Sequence, residues 1–158
     1  MIKTLILSFM FLSQLAFASG ELNGTWYGIG IKEYQNIETG DVSTVGCELK
    51  LVIQQEANTF GFPLMENKCT DGVLEEGNYA KMFSVRDGQL RLGDQSVGWI
   101  NETGFRFSLP MGEGPTLSLF EINASLKNGK MSVVYVLTPV PTGNQSRVRQ
   151  QGDYQLRK

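Results

Sequence analysis

Period-two alternation of apolar residues, repeated along nearly the whole chain, is the feature that most narrows what this sequence can fold into. Tyr27, Ile29 and Ile31 share one face of the segment from Leu22 to Tyr34. Leu49, Leu51 and Ile53 do the same between Glu48 and Gln54, and Phe60, Phe62 and Leu64 follow at spacing two. The pattern continues through Tyr79, Phe83 and Val85, Leu90 and Leu92, Val97 and Trp99, and Phe105, Phe107 and Leu109. Longer runs cover Leu117 to Leu126 and Met131 to Leu137, and Tyr154 and Leu156 close the chain. A strand sends successive side chains to opposite faces, so such segments read as half-buried antiparallel strands. No segment carries a sustained three-four apolar spacing, and little helix is expected.

The connections agree with that reading. Asp71-Gly72, Asp87-Gly88 and Asn128-Gly129 each pair a residue that tolerates positive φ with a glycine, as two-residue hairpins require. A longer loop is expected near Asn36 to Val45, and Pro139, Pro141 and Gly143 mark another before the last strand. About eight to ten strands joined in this way predict an all-β fold, an antiparallel up-and-down meander closed into a barrel that leaves no free edges. A small barrel of this kind encloses either packed side chains or one small ligand.

The N-terminus reads as a secretory signal over residues 1–18, leaving 19–158 as a single domain. Lys3 supplies the positive end, Leu5 to Phe17 is mostly apolar, and Ala16-Phe17-Ala18 is a small-x-small cleavage site. The apolar run falls short of the roughly 20 residues that span a bilayer. No later run is long enough either, so no membrane span is expected, and the location implied is periplasmic or secreted. Cys47 and Cys69 are the chain's two cysteines. In an oxidising compartment they are expected to form a disulfide. There is neither CxxC spacing nor a histidine to point to a reactive thiol. Four Asn-x-Ser/Thr sequons begin at Asn23, Asn101, Asn123 and Asn144. The same residue types crowd hairpin turns, and the four sites are expected to be turn chemistry.

Charge and composition exclude several functions. Lys and Arg number 14 against 16 Asp and Glu, so no basic excess marks a nucleic-acid surface. There is no histidine, which removes the serine–histidine triad and His-ligated zinc or haem. Glu75 and Glu76 are adjacent and would face opposite sides of a strand, so they do not form a catalytic pair. Glu121 shares a face with Leu117, Leu119 and Asn123; it would be a buried acid only if that face pointed inward. Nothing supplies a nucleophile beside a base. The chain is expected to be no enzyme and to need no metal or cofactor.

The opening Leu22-Asn23-Gly24-Thr25-Trp26-Tyr27-Gly28 resembles the first strand of lipocalin-like, or calycin, barrels. The match is the Gly24-Thr25-Trp26 triplet on one strand. The C-terminal helix and later loop motifs of typical lipocalins are not seen. The resemblance implies that Trp26 plugs the closed end of a barrel, covered by an arginine such as Arg157 or Arg149, and that a small apolar molecule is carried inside. The residues that would line such a cavity are Phe62, Tyr79, Phe83, Trp99, Phe105, Phe107 and Tyr135. They could equally fill the barrel as core, since alternation does not say which face is inward. Avidins and nitrobindin-type barrels open similarly. However, biotin sites need several tryptophans, where this chain has Trp26 and Trp99, and nitrobindin haem needs histidine.

Leu22-Asn23-Gly24-Thr25-Trp26, together with Cys47-Glu48-Leu49-Lys50-Leu51 running on to Gly61-Phe62 and Cys69, also looks like the periplasmic barrels that inhibit metalloproteases. Two roles are therefore expected. The first is an exported, non-catalytic binding protein holding a small hydrophobic ligand in a barrel. The alternative is a protease inhibitor or other protein-binding barrel acting through its loops. Pro110-Met111-Gly112-Glu113-Gly114-Pro115, with Met111 at its tip, is one such loop.

Overall fold

The computed structural model describes residues 21–140 and 146–157. The signal expected over 1–18, and Pro141 and Gly143 of the second expected loop, lie outside the described residues. The fold is an all-β, closed barrel of ten antiparallel strands. In chain order these are β1 (Gly24–Asn36), β2 (Val42–Glu56), β3 (Thr59–Cys69), β4 (Leu74–Arg86), β5 (Gln89–Leu92), β6 (Gln95–Asn101), β7 (Gly104–Met111), β8 (Ser118–Lys127), β9 (Lys130–Pro139) and β10 (Ser146–Arg157). Each pairs with its sequence neighbours, and β10 returns to β1 from Thr25↔Arg157 to Asn36↔Ser146. One 3-10 turn, Gly114–Thr116, is the only helical element among the described residues. No helix there is long and apolar enough to cross a membrane.

Turn chemistry follows the sequence closely. Asp87 and Gly88 (φ 52° and 74°) and Asn128 and Gly129 (φ 53° and 72°) place both central residues at positive φ, as a type I′ hairpin demands. Asp71-Gly72 lies in a turn closed by hydrogen bonds from Cys69 N to Val73 O and from Gly72 N to Cys69 O, each 3.0 Å. The loop expected near Asn36 to Val45 is shorter. It spans only residues 37–41, and Val42 to Val45 pair with Gln35 to Lys32 of β1. The first residues of β2 project beyond the core, so they need ladder hydrogen bonds but no apolar face, and alternation does not reveal them.

The apolar face of β1 turns outward. Its inward positions are Trp26, Gly28, Gly30 and Lys32, while Ile29 is 76% exposed. Glycine on the inside is what the packing needs. A Cβ on Gly30 would lie 2.7 Å from Leu49 Cδ1, and one on Gly152 of β10 would lie 2.2 Å from the same atom. Leu49 fills the space those two side chains would otherwise take. Outside, Arg157 lies over the Tyr27 ring, 5.1 Å from its centroid. Arg149 donates to Gln151 Oε1 at 3.0 Å. The cover expected over Trp26 is not an arginine, because the pleat sends both to the outer surface of β10.

Two bulges set the phase of β3 and β4. Phe60 pairs with Phe83 and Phe62 with Tyr79, so β4 advances four residues while β3 advances two. Lys81, at φ 50°, takes up the excess. Between Phe62 and Met65 the surplus lies on β3 instead, at Pro63-Leu64. Proline offers no N–H to a ladder and marks such irregularities. The bulge moves Leu64 off the inward face and brings Met65, Asn67 and Cys69 onto it, so the expected face of Phe60, Phe62 and Leu64 ends at Phe62.

The interior divides into two halves. At the end where β1 begins, Trp26 is fully buried and donates from Nε1 to Leu22 O at 2.8 Å. Above it, Phe60, Phe62, Phe83, Phe105 and Phe107 pack ring against ring. Phe105 lies 5.0 Å from Phe60 and 5.4 Å from Phe62, and Phe83 lies 4.6 Å from Phe107. This half is solid. The wall is incomplete in the other half. β4 pairs with β5 only over Ser84–Arg86, and β6 reaches β7 only as far as Phe107. From Leu74 to Phe83, β4 therefore has no partner on its β5 side among the described residues. Pro110 lies on the matching bare stretch of β7, where a missing N–H costs nothing.

Candidate functional site

The hollow half holds a cavity of about 400 Å³. β3 contributes Met65 and Asn67, and β4 contributes Glu75, Glu76, Gly77 and Tyr79, so both adjacent acids expected on opposite sides of a strand border the cavity. Met111, Phe120, Leu137 and Val148 supply most of the remaining apolar wall, and Lys32 and Tyr135 reach in from β1 and β9. The volume falls within the roughly 300–1,000 Å³ of ordinary small-ligand pockets, which are likewise apolar with a few placed polar groups. Phe120 joins the two halves, with its ring 6.0 Å from Phe107 and 5.7 Å from Tyr135. The unpaired edge of β4 and the Gly112–Thr116 turn flank the cavity's mouth.

A belt of buried polar groups crosses the cavity. Lys32 and Gln150 are cross-strand neighbours on β1 and β10, Gln150 and Tyr135 on β10 and β9, and Asn67 and Glu75 on β3 and β4. Tyr135 donates from its hydroxyl to Gln150 Oε1 at 2.9 Å, and Gln150 Nε2 donates to Asn67 Oδ1 at 3.1 Å. Asn67 Nδ2 closes the ring on the Tyr135 oxygen at 3.4 Å and also approaches Glu75 Oε2 at 3.3 Å. Lys32 Nζ donates to Glu75 Oε1. Lys32 is 1% exposed, whereas the Glu75 side chain is 44% exposed. The ammonium is thus buried while its counter-ion stands at the rim. Nζ also lies 5.2 Å from the centre of the Tyr34 ring. No buried side-chain polar atom among the described residues lacks a partner.

Tyr135 is held protonated. Burial pushes its pKa up, and the Glu75 carboxylate beside it pushes further. Burial alone does the same to Tyr154 near the solid end. Because both folded-state pKa values lie above the unfolded value of 10.0, their stabilisation is complete below pH 10 and is lost as pH rises beyond it. Each buried phenol should steepen the fall by up to about 1.4 kcal/mol per pH unit. Urea unfolding at a series of pH values is expected to show stability dropping above pH 10. The drop should be shallower in Tyr135→Phe; an unchanged slope in that variant would contradict the assignment.

The residues expected to line a ligand site separate into three groups. Tyr79 and Tyr135 line the cavity. Phe62, Phe83, Phe105 and Phe107 belong to the ring block, with Phe62 and Phe107 at its upper edge beside a narrow gap under Met65 and Met111. Trp99 does not reach the interior. It lies on the outer surface of β6, 42% exposed, because Gly98 takes the inward position against Phe107. Glu121 faces outward with Leu119 and Asn123, while its neighbours Phe120 and Ile122 turn in. Met111, expected at a loop tip, instead lines the cavity. Cys47 and Cys69 are disulfide-bonded cross-strand partners on β2 and β3, both buried, with Cys69 two residues beyond Asn67 on β3.

Of the sequons, Asn23 bridges to the Gln55 backbone and Asn101 caps its own turn by accepting from Thr103 N at 2.8 Å. Lys32, Asn67, Glu75 and Gln150 were not anticipated as site residues. The signal for Lys32 and Gln150 was their phase, two steps from the inward glycines Gly30 and Gly152. What the fold and site define is a closed ten-stranded antiparallel barrel, solid at one end and hollow at the other. No protein-family model matches the chain, and comparison with curated proteins finds no match.

Proposed function

We propose that this protein is an exported, non-catalytic carrier of lipocalin-like type that holds a small, largely apolar molecule in the hollow half of its barrel. One observation carries the reading: apolar side chains line a cavity of about 400 Å³ beside a gap in the wall, with only a narrow polar belt across it. The Gly24-Thr25-Trp26 opening and the buried Trp26 at the solid end support the lipocalin-like part of the reading. The Cys47–Cys69 disulfide supports passage through an oxidising compartment, periplasmic or extracellular. Ligand exchange would run through the gap between β4 and the β7–β8 turn, where no ladder has to break.

A fluorescence titration with an apolar probe such as N-phenylnaphthylamine tests the proposal. The wild type should bind one probe per chain. Leu137→Trp, which fills the cavity, should weaken binding by about tenfold or more, since a lost apolar contact area of ring size is worth over 1.4 kcal/mol. Trp99→Ala, on the outer surface, should bind as the wild type does. Equal binding by wild type and Leu137→Trp would sink the reading.

A further inference from the structure

Resting on that reading, we infer that the ligand carries an acidic head group, and that Glu75 is a displaceable stand-in for it on Lys32. Three features of the belt lead here. First, the positive charge is fixed inside. Lys32 is 1% exposed and, among the described residues, its ammonium donates to Glu75 alone, although an ammonium has three donors. Second, the negative charge can turn out into water, giving up Lys32 and a long 3.3 Å contact from Asn67 Nδ2 that the entering acid's oxygens can take over. The Glu75 side chain stands 44% exposed at the rim, on the stretch of β4 that has no partner on one side. Third, the other polar groups are engaged with one another. Tyr135, Gln150 and Asn67 close a hydrogen-bonded ring, which leaves Lys32 as the member of the belt with donors to spare.

The charge balance then selects the head group. An acid entering the cavity exchanges with Glu75: its oxygens take the Lys32 donors, and Glu75 turns into water, where a carboxylate is well solvated. The buried ammonium keeps a counter-ion throughout. A cationic head group would have to capture Glu75 and strand Lys32 unpaired in the interior, the costliest arrangement available to a buried charge. An alcohol can accept from Lys32, but it brings no negative charge to replace Glu75 and so forms no ion pair with the ammonium. The carboxylate therefore holds the empty site charged and ready, and departs when the ligand arrives.

Decanoic acid and decanol, matched in chain and differing in head group, provide the test. Their affinities for the purified full barrel are measured by displacement of the apolar probe near neutral pH. The wild type should prefer the acid by about tenfold or more, the scale of one charge-assisted contact in a desolvated site. Lys32→Met should abolish the preference while still binding decanol. Glu75→Gln, which leaves Lys32 a weaker neutral acceptor, should tighten acid binding several-fold and leave decanol unchanged. Should Lys32→Met fail to fold, the Glu75→Gln comparison decides alone. Equal affinity of the wild type for both molecules, a preference that persists without Lys32, or acid binding that does not tighten in Glu75→Gln would overturn the exchange and leave the carrier reading standing. Failure of the wild type to bind the probe itself would overturn both.

Discussion

Phe105→Ala should cost the barrel about 4 kcal/mol, the mid-range for truncating a fully buried phenylalanine. Phe105 is 0% exposed and sits at the centre of the ring block, 5.0 Å from Phe60, 5.4 Å from Phe62 and 6.4 Å from Phe107. Those rings come from β3 and β7, on opposite sides of the short β5–β6 hairpin, so Phe105 ties together walls that are far apart in sequence. The void it leaves cannot collapse easily, because a closed ladder fixes the strands around it. Domains of this size hold about 5–15 kcal/mol in total, so the loss is a large fraction. Urea unfolding should show it as a fall in midpoint of roughly 1–3 M at unchanged slope. Trp99→Ala serves as the aromatic control and should move stability far less, since its ring lies outside the core. A loss below about 1 kcal/mol for Phe105→Ala would mean the block is not the core.

Removing the disulfide should be the next largest effect. Cys47 and Cys69 are 22 residues apart, and their bond joins β2 to β3 two residues beyond Asn67 of the polar belt. A loop of that length stabilises the fold by roughly 3 kcal/mol, mainly by restricting the unfolded chain. The Cys47→Ser/Cys69→Ser double variant should lose about that much, and reduction of the wild type should produce a matching loss. Agreement between the two separates the cross-link from any packing effect of serine. A reduced wild type as stable as the oxidised one would contradict the claim that the bond braces the hollow half. That half needs such bracing more than the other, because its interior is cavity where the opposite end has a packed core.

Much of the barrel was readable from alternation and turns, because each ladder residue has only two faces and each tight turn only a few permitted residues. Asn128-Gly129 and Asp87-Gly88 located hairpins through the one backbone geometry that favours them. Three features were harder to see. Alternation gives a face but not its direction, and in β1 the apolar face of Tyr27, Ile29 and Ile31 points out, since Gly28 and Gly30 must leave room for Leu49. Pro63 shifts the phase of β3 by one, which is why Met65 and Asn67 line the site rather than Leu64. And Lys32 looks like an ordinary surface lysine until the strand's phase is fixed. Its burial follows from the strand's two-residue period, counted from Trp26. The polar belt is hidden for that reason: a search for aromatic lining finds Tyr79 and Tyr135 in the cavity wall and otherwise the core, whereas Lys32, Asn67, Glu75 and Gln150 stand out only once the strands' phases are known.

The central claim is that the hollow half carries a small molecule. Its most direct test is native mass spectrometry of the protein purified from its own source, repeated after denaturation. The account predicts extra mass on the folded chain that disappears on unfolding, belonging to a mostly apolar molecule with an acidic group. A folded protein that shows only the mass of its own oxidised chain, and that also fails to take up an added apolar probe, would contradict it.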